Sequence, residues 1–279
     1  MSRLALAIAV RGEWSADRLA KKLKSAGIPP DIEIHVACDP EFAPDAPPPT
    51  LSVHALSGSS LFDLWSAAIE KSRAPWVAIL HADGLPAAGW FSAMERAIEQ
   101  EGWPDGYWGP VEPDPYITVS SMVGYLTEYC QFHRPIETGL KEIPGSNLIL
   151  SRGRIDDSAG FSKTRLLQQG LSPKYVADAV IQYARPFALG DYCRRRFRHG
   201  RAYAASRIPR VALVRALPLS LMLPLVRTAR VLRHAWRHKE LRGTGLVSLP
   251  AIFVAETCWS LGELTGYVTR RPGELSRLD

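Results

Sequence analysis

The chain has 279 residues, 46% of them apolar and 22% charged, with 21 glycines, 22 prolines and a formal net charge of +6. Intrinsic disorder, a collagen-like repeat and a disulfide-stapled miniprotein are excluded, and the length suits one large domain or a domain with an appendage. The charge is unevenly spread: residues 1–150 hold 11 Lys and Arg against 19 Asp and Glu, net −8, whereas residues 151–279 hold 23 against 9, net +14.

Leu4–Val10 is apolar throughout and reads as a buried first strand; it is too short for a signal-peptide core and no cleavage site follows it. A helix is expected over Ser15–Ala26 with Ser15 as its N-cap, then a strand over Ile32–Ala37 that ends at Asp39-Pro40. A proline-rich loop, Pro44 to Pro49, leads to a short strand at Leu51–Ala55, a helix over Ser60–Lys71 and a strongly apolar strand at Trp76–Leu80. That strand stops at His81-Ala82-Asp83, and another helix, Gly89–Glu101, follows Pro86. Strands alternating with helices at this spacing predict an α/β fold with a doubly wound, mainly parallel sheet and helices on both faces. Ligands in such sheets sit beyond the carboxyl ends of the strands, where both Asp39 and Asp83 fall.

Further along, Gly102–Pro115 reads as loop or irregular strand, Ser120–Phe132 as helix, Leu148–Leu150 as a short strand and Arg152–Asp157 as the start of a helical segment. Leu166–Gln169 is expected to be helical, Tyr175–Tyr183 a strand and Leu189–Arg207 a long basic helix. Beyond Arg207 the pattern becomes all-helical, which sets an expected boundary between residues 1–207 and a helical tail, 208–279. No run reaches the ~18–20 uncharged apolar residues that a spanning helix needs. Glu256 and Glu263 interrupt Leu246–Val268, and two prolines interrupt Leu217–Val226.

The four cysteines, Cys38, Cys130, Cys193 and Cys258, lie far apart and signal neither a zinc site nor a disulfide framework. A reducing compartment follows by default. The basic half points to an anionic lipid or a phosphorylated substrate, and its arginines flank apolar helices rather than interleaving with aromatics, which speaks against nucleic acid. Trp65, Trp76 and Trp90 read as core.

The segment APWVAILHADGLPAAGW (Ala74–Trp90) resembles the central strand and acidic motif of glycosyltransferase family 2. GYLTEYCQFHRP (Gly124–Pro135), EIPGSNLILSRGRI (Glu142–Ile155), LLQQGLSPKYVADAVIQYARP (Leu166–Pro186) and RRRFRHGRAYAASR (Arg194–Arg207) are similar to successive landmarks of one bacterial branch of that family. LPAIFVAETCWSLGELTGYV (Leu249–Val268) resembles its closing segment. The resemblance implies a GT-A-like fold with a C-terminal helical region, and transfer of a sugar from a nucleotide-diphosphate donor to an acceptor hydroxyl. It implies a divalent cation, Mn²⁺ or Mg²⁺, held by acidic side chains after the central strand to neutralise the departing diphosphate.

Carried over residue by residue, Asp83 is the surviving carboxylate of the metal pair and His81 stands where the first acid belongs. His81 is read either as a ligand that suits Mn²⁺ better than Mg²⁺ or as a strand cap. Asp39 matches the acid that contacts the nucleoside, or else starts a turn before Pro40. Asn147 matches an acceptor-side element, or else makes a strand-entry turn. In the arginine run, Arg198 and Arg201 are candidates for the donor diphosphate or an anionic headgroup, against the simpler reading of a solvated face.

The catalytic base departs from the pattern, because Lys163 stands where the resemblance implies an acid, and an ammonium accepts no proton unless its pKa is depressed by several units. Three readings stand open. Asp156, Asp157 or Glu112 supplies the base; Lys163 pairs with a phosphate; or the protein binds sugar nucleotide or glycan for a partner enzyme without catalysing.

The tail from Arg210 to Arg237 alternates apolar blocks with arginines, as an in-plane helix on an anionic membrane would, with packing on its own domain or on a second copy as the alternative. The expected partners are thus a sugar nucleotide, a glycan or lipid-linked acceptor and the inner face of the cell membrane.

Overall fold

The computed structural model describes residues 3–57, 60–136, 142–155, 161, 163–207 and 213–270. The chain divides into two compact units, one built from the described residues of Met1–Glu112 and Ile136–Ala184, the other from those of Pro113–Pro135 and Arg185–Leu278.

In the first unit β1 (Leu4–Val10) is buried along its whole length and leads into α1 (Ala16–Ser25). Ser15 caps that helix by accepting the Arg18 N–H at 3.2 Å, which satisfies one of its orphan donors. β2 (Ile34–Cys38), β3 (Ser52–Ala55) and α2 (Leu61–Lys71) follow. At the start of α2 a capping box closes, with Ser60 Oγ accepting the Asp63 N–H and the Asp63 carboxylate accepting the Ser60 N–H at 2.8 Å.

β4 (Trp76–His81) turns through Ala82-Asp83 into β5 (Gly84–Pro86), a two-residue hairpin with His81 paired opposite Gly84. Then come α3 (Trp90–Glu101), β6 (Tyr107–Trp108), β7 (Val111–Pro113), and, after α4 (Val119–Glu128) of the second unit, β8 (Leu148–Ser151), α5 (Lys163–Gln168), β9 (Lys174–Tyr175) and β10 (Ile181–Tyr183).

These strands form one mixed sheet. β3, β2, β1 and β4 pair in parallel in that order, while β8 and β5 join β4 antiparallel and β10 continues from β5. α2 packs on β1 and β2. β1 and the inner part of β4 lie wholly out of solvent, so the sheet centre is the core of this unit. The α/β class and mainly parallel sheet expected from the alternation of strands and helices are present, with a C-terminal helical region. The strand expected over Tyr175–Tyr183 is instead two strands. Its first part pairs with β6 and its second with β5, and a turn in which Ala179 N–H donates to Val176 O carries the chain between them.

The second unit holds α4, a 3₁₀ turn at Cys130–Phe132, α6 (Leu189–Arg207), α7 (Leu213–Arg237), α8 (Lys239–Val247) and α9 (Leu249–Thr269). The expected division at Arg207 falls inside this unit, because α6 is built into it through α9. Their backbones meet at glycines: a Cβ on Gly200 would lie 2.1 Å from the Trp259 carbonyl oxygen, and one on Gly262 would lie 1.9 Å from that of Phe197. No single described helix is long and apolar enough to cross a membrane; α8 and α9 have that length and composition only as a pair, bent by 72°.

Candidate functional site

The strand order turns back at β1, with β2 and β3 on one side and β4 on the other. At such a reversal the connecting loops leave in opposite directions and open a crevice at the carboxyl ends of the strands. The side chains there are Arg11 after β1, Asp39 after β2, and His81 with Asp83 at the end of β4.

Arg11 Nε lies 3.9 Å from Asp39 Oδ2, both groups being mostly buried. The loop carrying Arg11 is tied down by Trp14, whose indole N–H donates to Phe42 O at 2.7 Å. The β4 turn is held by two backbone bonds: Ala82 N–H donates to Ala9 O at 3.1 Å and Ala184 N–H to Asp83 O at 2.7 Å. Asp83 is thereby presented on a fixed hairpin rather than a loose loop.

His81 Nδ1 faces two groups of the same residue. It lies 3.1 Å from the Asp83 N–H and 3.2 Å from Asp83 Oδ2. A neutral imidazole uses that nitrogen to accept the N–H, and a protonated one uses it to donate to the carboxylate. In either state Nδ1 is engaged within the hairpin, which suits the strand-cap reading of His81 and does not suit a metal ligand through that atom. A divalent cation at this place would rest on the Asp83 carboxylate. That is a sufficient protein share for Mg²⁺ or Mn²⁺ when phosphate oxygens and waters complete the shell.

An aromatic wall backs the hairpin. Trp65 of α2 donates its indole N–H to Leu80 O at 2.6 Å and meets His81 edge-on, with ring centroids 6.4 Å apart. Phe161 packs against Trp65 at 5.8 Å, and its N–H donates to Ser66 Oγ at 2.6 Å. Phe161, two residues before Lys163 in sequence, is therefore anchored to the helix beside His81. Asp156 and Asp157 lie outside the described residues, as does the side chain of Lys163, whose backbone opens α5. Trp65 and Trp90 are buried, as expected of core residues.

Asn147 does something other than meet an acceptor. It is 0% exposed, and its carboxamide is fully used within the protein. Oδ1 accepts the Trp90 indole N–H at 2.9 Å, and Nδ2 donates to Pro110 O at 2.9 Å and to Ala179 O at 2.8 Å. It fastens three separate segments at a place where Gly109 leaves no room for a Cβ, which would lie 2.0 Å from Ala179 O. These bonds suit a structural role for Asn147 better than the acceptor-side expectation. Glu112 lies half-buried in β7.

The arginine run of α6 is not one uniform anion-binding face. Arg195 makes a two-pronged contact with Glu128, at 2.7 and 2.9 Å, and Tyr192 OH donates to the same carboxylate at 3.1 Å. Burial alone would raise the Glu128 pKa, but Arg195 and then Arg196 outweigh it and hold the carboxyl at about 2. Arg196, 3% exposed, bonds Glu256 at 2.6 Å and stacks over Trp259 at 4.4 Å, and Arg227 approaches the same carboxylate and ring. Of the two donor candidates, Arg198 is exposed on α6 and Arg201 is partly buried.

No family model matches the chain, and no curated protein does. Among solved structures it is similar to S. aureus TarS. The structure of TarS 1–349 in complex with UDP-GlcNAc has 10% identity, with 90% of each chain covered and a TM-score of 0.45. A TarS structure of greater length has 9% identity, 90% of this chain and 55% of that one covered, and a TM-score of 0.44. For a further TarS 1–349 structure the values are 11%, 75%, 66% and 0.42, so the chain spans just under two thirds of that one and about half of the longer one. At TM-scores below 0.5 the likeness assigns no function.

Sequence reasoning missed Arg11 as the partner of Asp39, and the carboxylates that receive Arg195 and Arg196. The signal for Arg11 is its place directly after an all-apolar strand in an alternating α/β pattern. Nothing in the local sequence marks the other pairs.

Proposed function

We propose that the chain is a glycosyltransferase of the family 2 type, taking a sugar from a nucleotide diphosphate to a hydroxyl of a cell-surface glycan or lipid-linked acceptor. The observation that carries this reading is the gathering of Arg11, Asp39 and the His81–Asp83 hairpin at the strand-order reversal. Asp39, oriented by Arg11, accepts hydrogen bonds from the nucleoside. Asp83 holds the divalent cation, and His81 fixes the hairpin. The cation supplies charge neutralisation for the departing diphosphate. Asp156, Asp157 and Glu112 remain the candidates for the base, with Lys163 as a phosphate partner.

Attachment to the inner membrane face is supported by α7. Leu221, Met222, Leu225 and Val226 are exposed on it, followed by exposed Arg230, Arg233 and Arg237. The engagement of His81 Nδ1 within its own hairpin, together with Lys163 in place of an acid, favours one second reading: a relative that binds the donor without transfer.

Titration with UDP and GDP, with and without Mn²⁺, tests the donor site. Binding weakened tenfold or more in Asp39→Ala and Asp83→Ala is the expected result, with the Mn²⁺ dependence lost in the latter. No binding in any combination refutes the site. Binding without hydrolysis or transfer across a sugar-nucleotide panel selects the second reading.

A further inference from the structure

In the second unit three potential ligands converge, none of them among the residues assigned above. His133 follows the 3₁₀ turn after α4 and is 6% exposed; His238 occupies the N-cap position of α8 and is 8% exposed; Glu240 lies in the first turn of α8. One nitrogen or oxygen from each comes within 4.8 Å of the other two. The histidine rings meet edge to face, with centroids 4.7 Å apart and planes at 76°.

A carboxylate in the first turn of a helix has an ordinary explanation in the helix dipole, and an N-cap histidine could be a capping residue. His238 does not cap: it makes no side-chain bond to the start of α8. Its ring is buried close to the Arg134 backbone, and Nδ1 is buried without a hydrogen-bond partner. Leaving a buried polar atom unsatisfied costs about 1–3 kcal/mol, which makes that nitrogen a poor choice for packing alone.

His133 is oriented by its neighbours. Its Nδ1 lies 2.8 Å from the hydroxyl of the fully buried Tyr125, and its Nε2 lies 2.8 Å from Glu240 Oε1. Histidines that bind metals are held in this way, one nitrogen fixed by a neighbour and the other aimed at the ion.

We propose that His133 Nε2, His238 Nδ1 and the Glu240 carboxylate bind one dication of the Zn²⁺ class, fastening the start of α8 to the turn that follows α4. Two imidazoles with one carboxylate favour Zn²⁺, Co²⁺ or Ni²⁺ over the all-oxygen preference of Mg²⁺. In a tetrahedral shell with bonds near 2.0–2.1 Å, ligand atoms stand about 3.3 Å apart. The His133–Glu240 contact must therefore open by roughly half an ångström and the widest separation must close. Glu240 can make most of that adjustment, because its side chain is 58% exposed. The same exposure leaves the fourth position to water. On binding, the proton shared between His133 Nε2 and Glu240 is released to solvent and the metal–nitrogen and metal–oxygen bonds replace it.

The test uses the full chain, stripped with a chelator and dialysed. Co²⁺ is titrated while visible d–d absorption is followed, and Zn²⁺ is titrated by calorimetry and by thermal unfolding. One equivalent should bind, with an absorption typical of tetrahedral Co²⁺ and a rise in Tm on adding Zn²⁺. Glu240→Gln, a change at an exposed side chain, should weaken binding at least tenfold, and His238→Ala should abolish both the absorption and the Tm rise. Absence of saturable uptake by the wild-type chain overturns the proposal. So does uptake of equal tightness in wild type, Glu240→Gln and His238→Ala, which places the ion on other side chains. If His238→Ala fails to fold by circular dichroism, Glu240→Gln alone decides. UDP binding is measured in parallel and should be unchanged, so this site and the donor site stand or fall separately.

Discussion

Asn147→Asp is the most searching single change, because it keeps the side chain's shape and removes only its two donors. In the native protein those donors satisfy the carbonyls of Pro110 and Ala179, and the side chain is inaccessible to water. An ionised aspartate would set a negative oxygen against both carbonyls, and a protonated one could donate to only one. At about 1–3 kcal/mol for each buried group left unpaired, the loss should be about 2–6 kcal/mol. The Trp90 bond survives, since a carboxyl oxygen still accepts it. With a urea m-value of about 2 kcal/mol/M, the midpoint should fall by roughly 1–3 M. Tryptophan fluorescence reports the transition through Trp90 and Trp108, which are both buried in this unit. A midpoint shift under about 0.3 M, accompanied by lost acceptor use, would refute the clamp and restore Asn147 to the ligand side.

Glu128, held at about 2 by its arginines, has a folded pKa below the ordinary 4.5, so its contribution is complete above pH 4.5 and is lost as pH falls toward 2. The wild-type stability profile should drop by about 3 kcal/mol across that window from this group, and Glu128→Gln should flatten it; an unchanged acid limb in the variant counts against the pairing. Gly262→Ala places a Cβ 1.9 Å from the Phe197 carbonyl oxygen, so α6 and α9 must part, at a cost of about 1–3 kcal/mol or more; an unaltered thermal midpoint would show that the crossing is looser than described. Cys193 is raised to about 11 by burial and by neighbouring Cys258, so its alkylation by iodoacetamide at pH 8 should be at least tenfold slower than that of a free thiol; reaction at the free-thiol rate would contradict this environment.

Periodicity made the first unit largely legible. Leu4–Val10 needed only an unbroken apolar run, and Ser15 announced its helix by capping chemistry. Asp39 and Asp83 could be placed at strand ends by the same alternation. What escaped was long-range pairing. The partners of Asn147 lie 32 to 57 residues away in sequence, and Glu128 meets Arg195 across 67. A carboxylate in an apolar segment reads as an interruption until its counter-charge is known, which is how Glu256 came to look like a break in α9 rather than the group that receives Arg196 and Arg227. The strand expected at Tyr175–Tyr183 divided for a similar reason, since its two ends answer to different neighbours.

The burial of Glu256 between two guanidinium groups bears on how the protein can be cut. A version shortened before α9 would take from buried Arg196 the carboxylate it bonds and leave it only Glu128, which Arg195 already holds, a loss of several kcal/mol. Solubility screens that trim the C-terminal helices as a dispensable anchor should thus yield misfolded material, while detergent or an acidic surface charge substituted on α7 leaves that ion cluster whole.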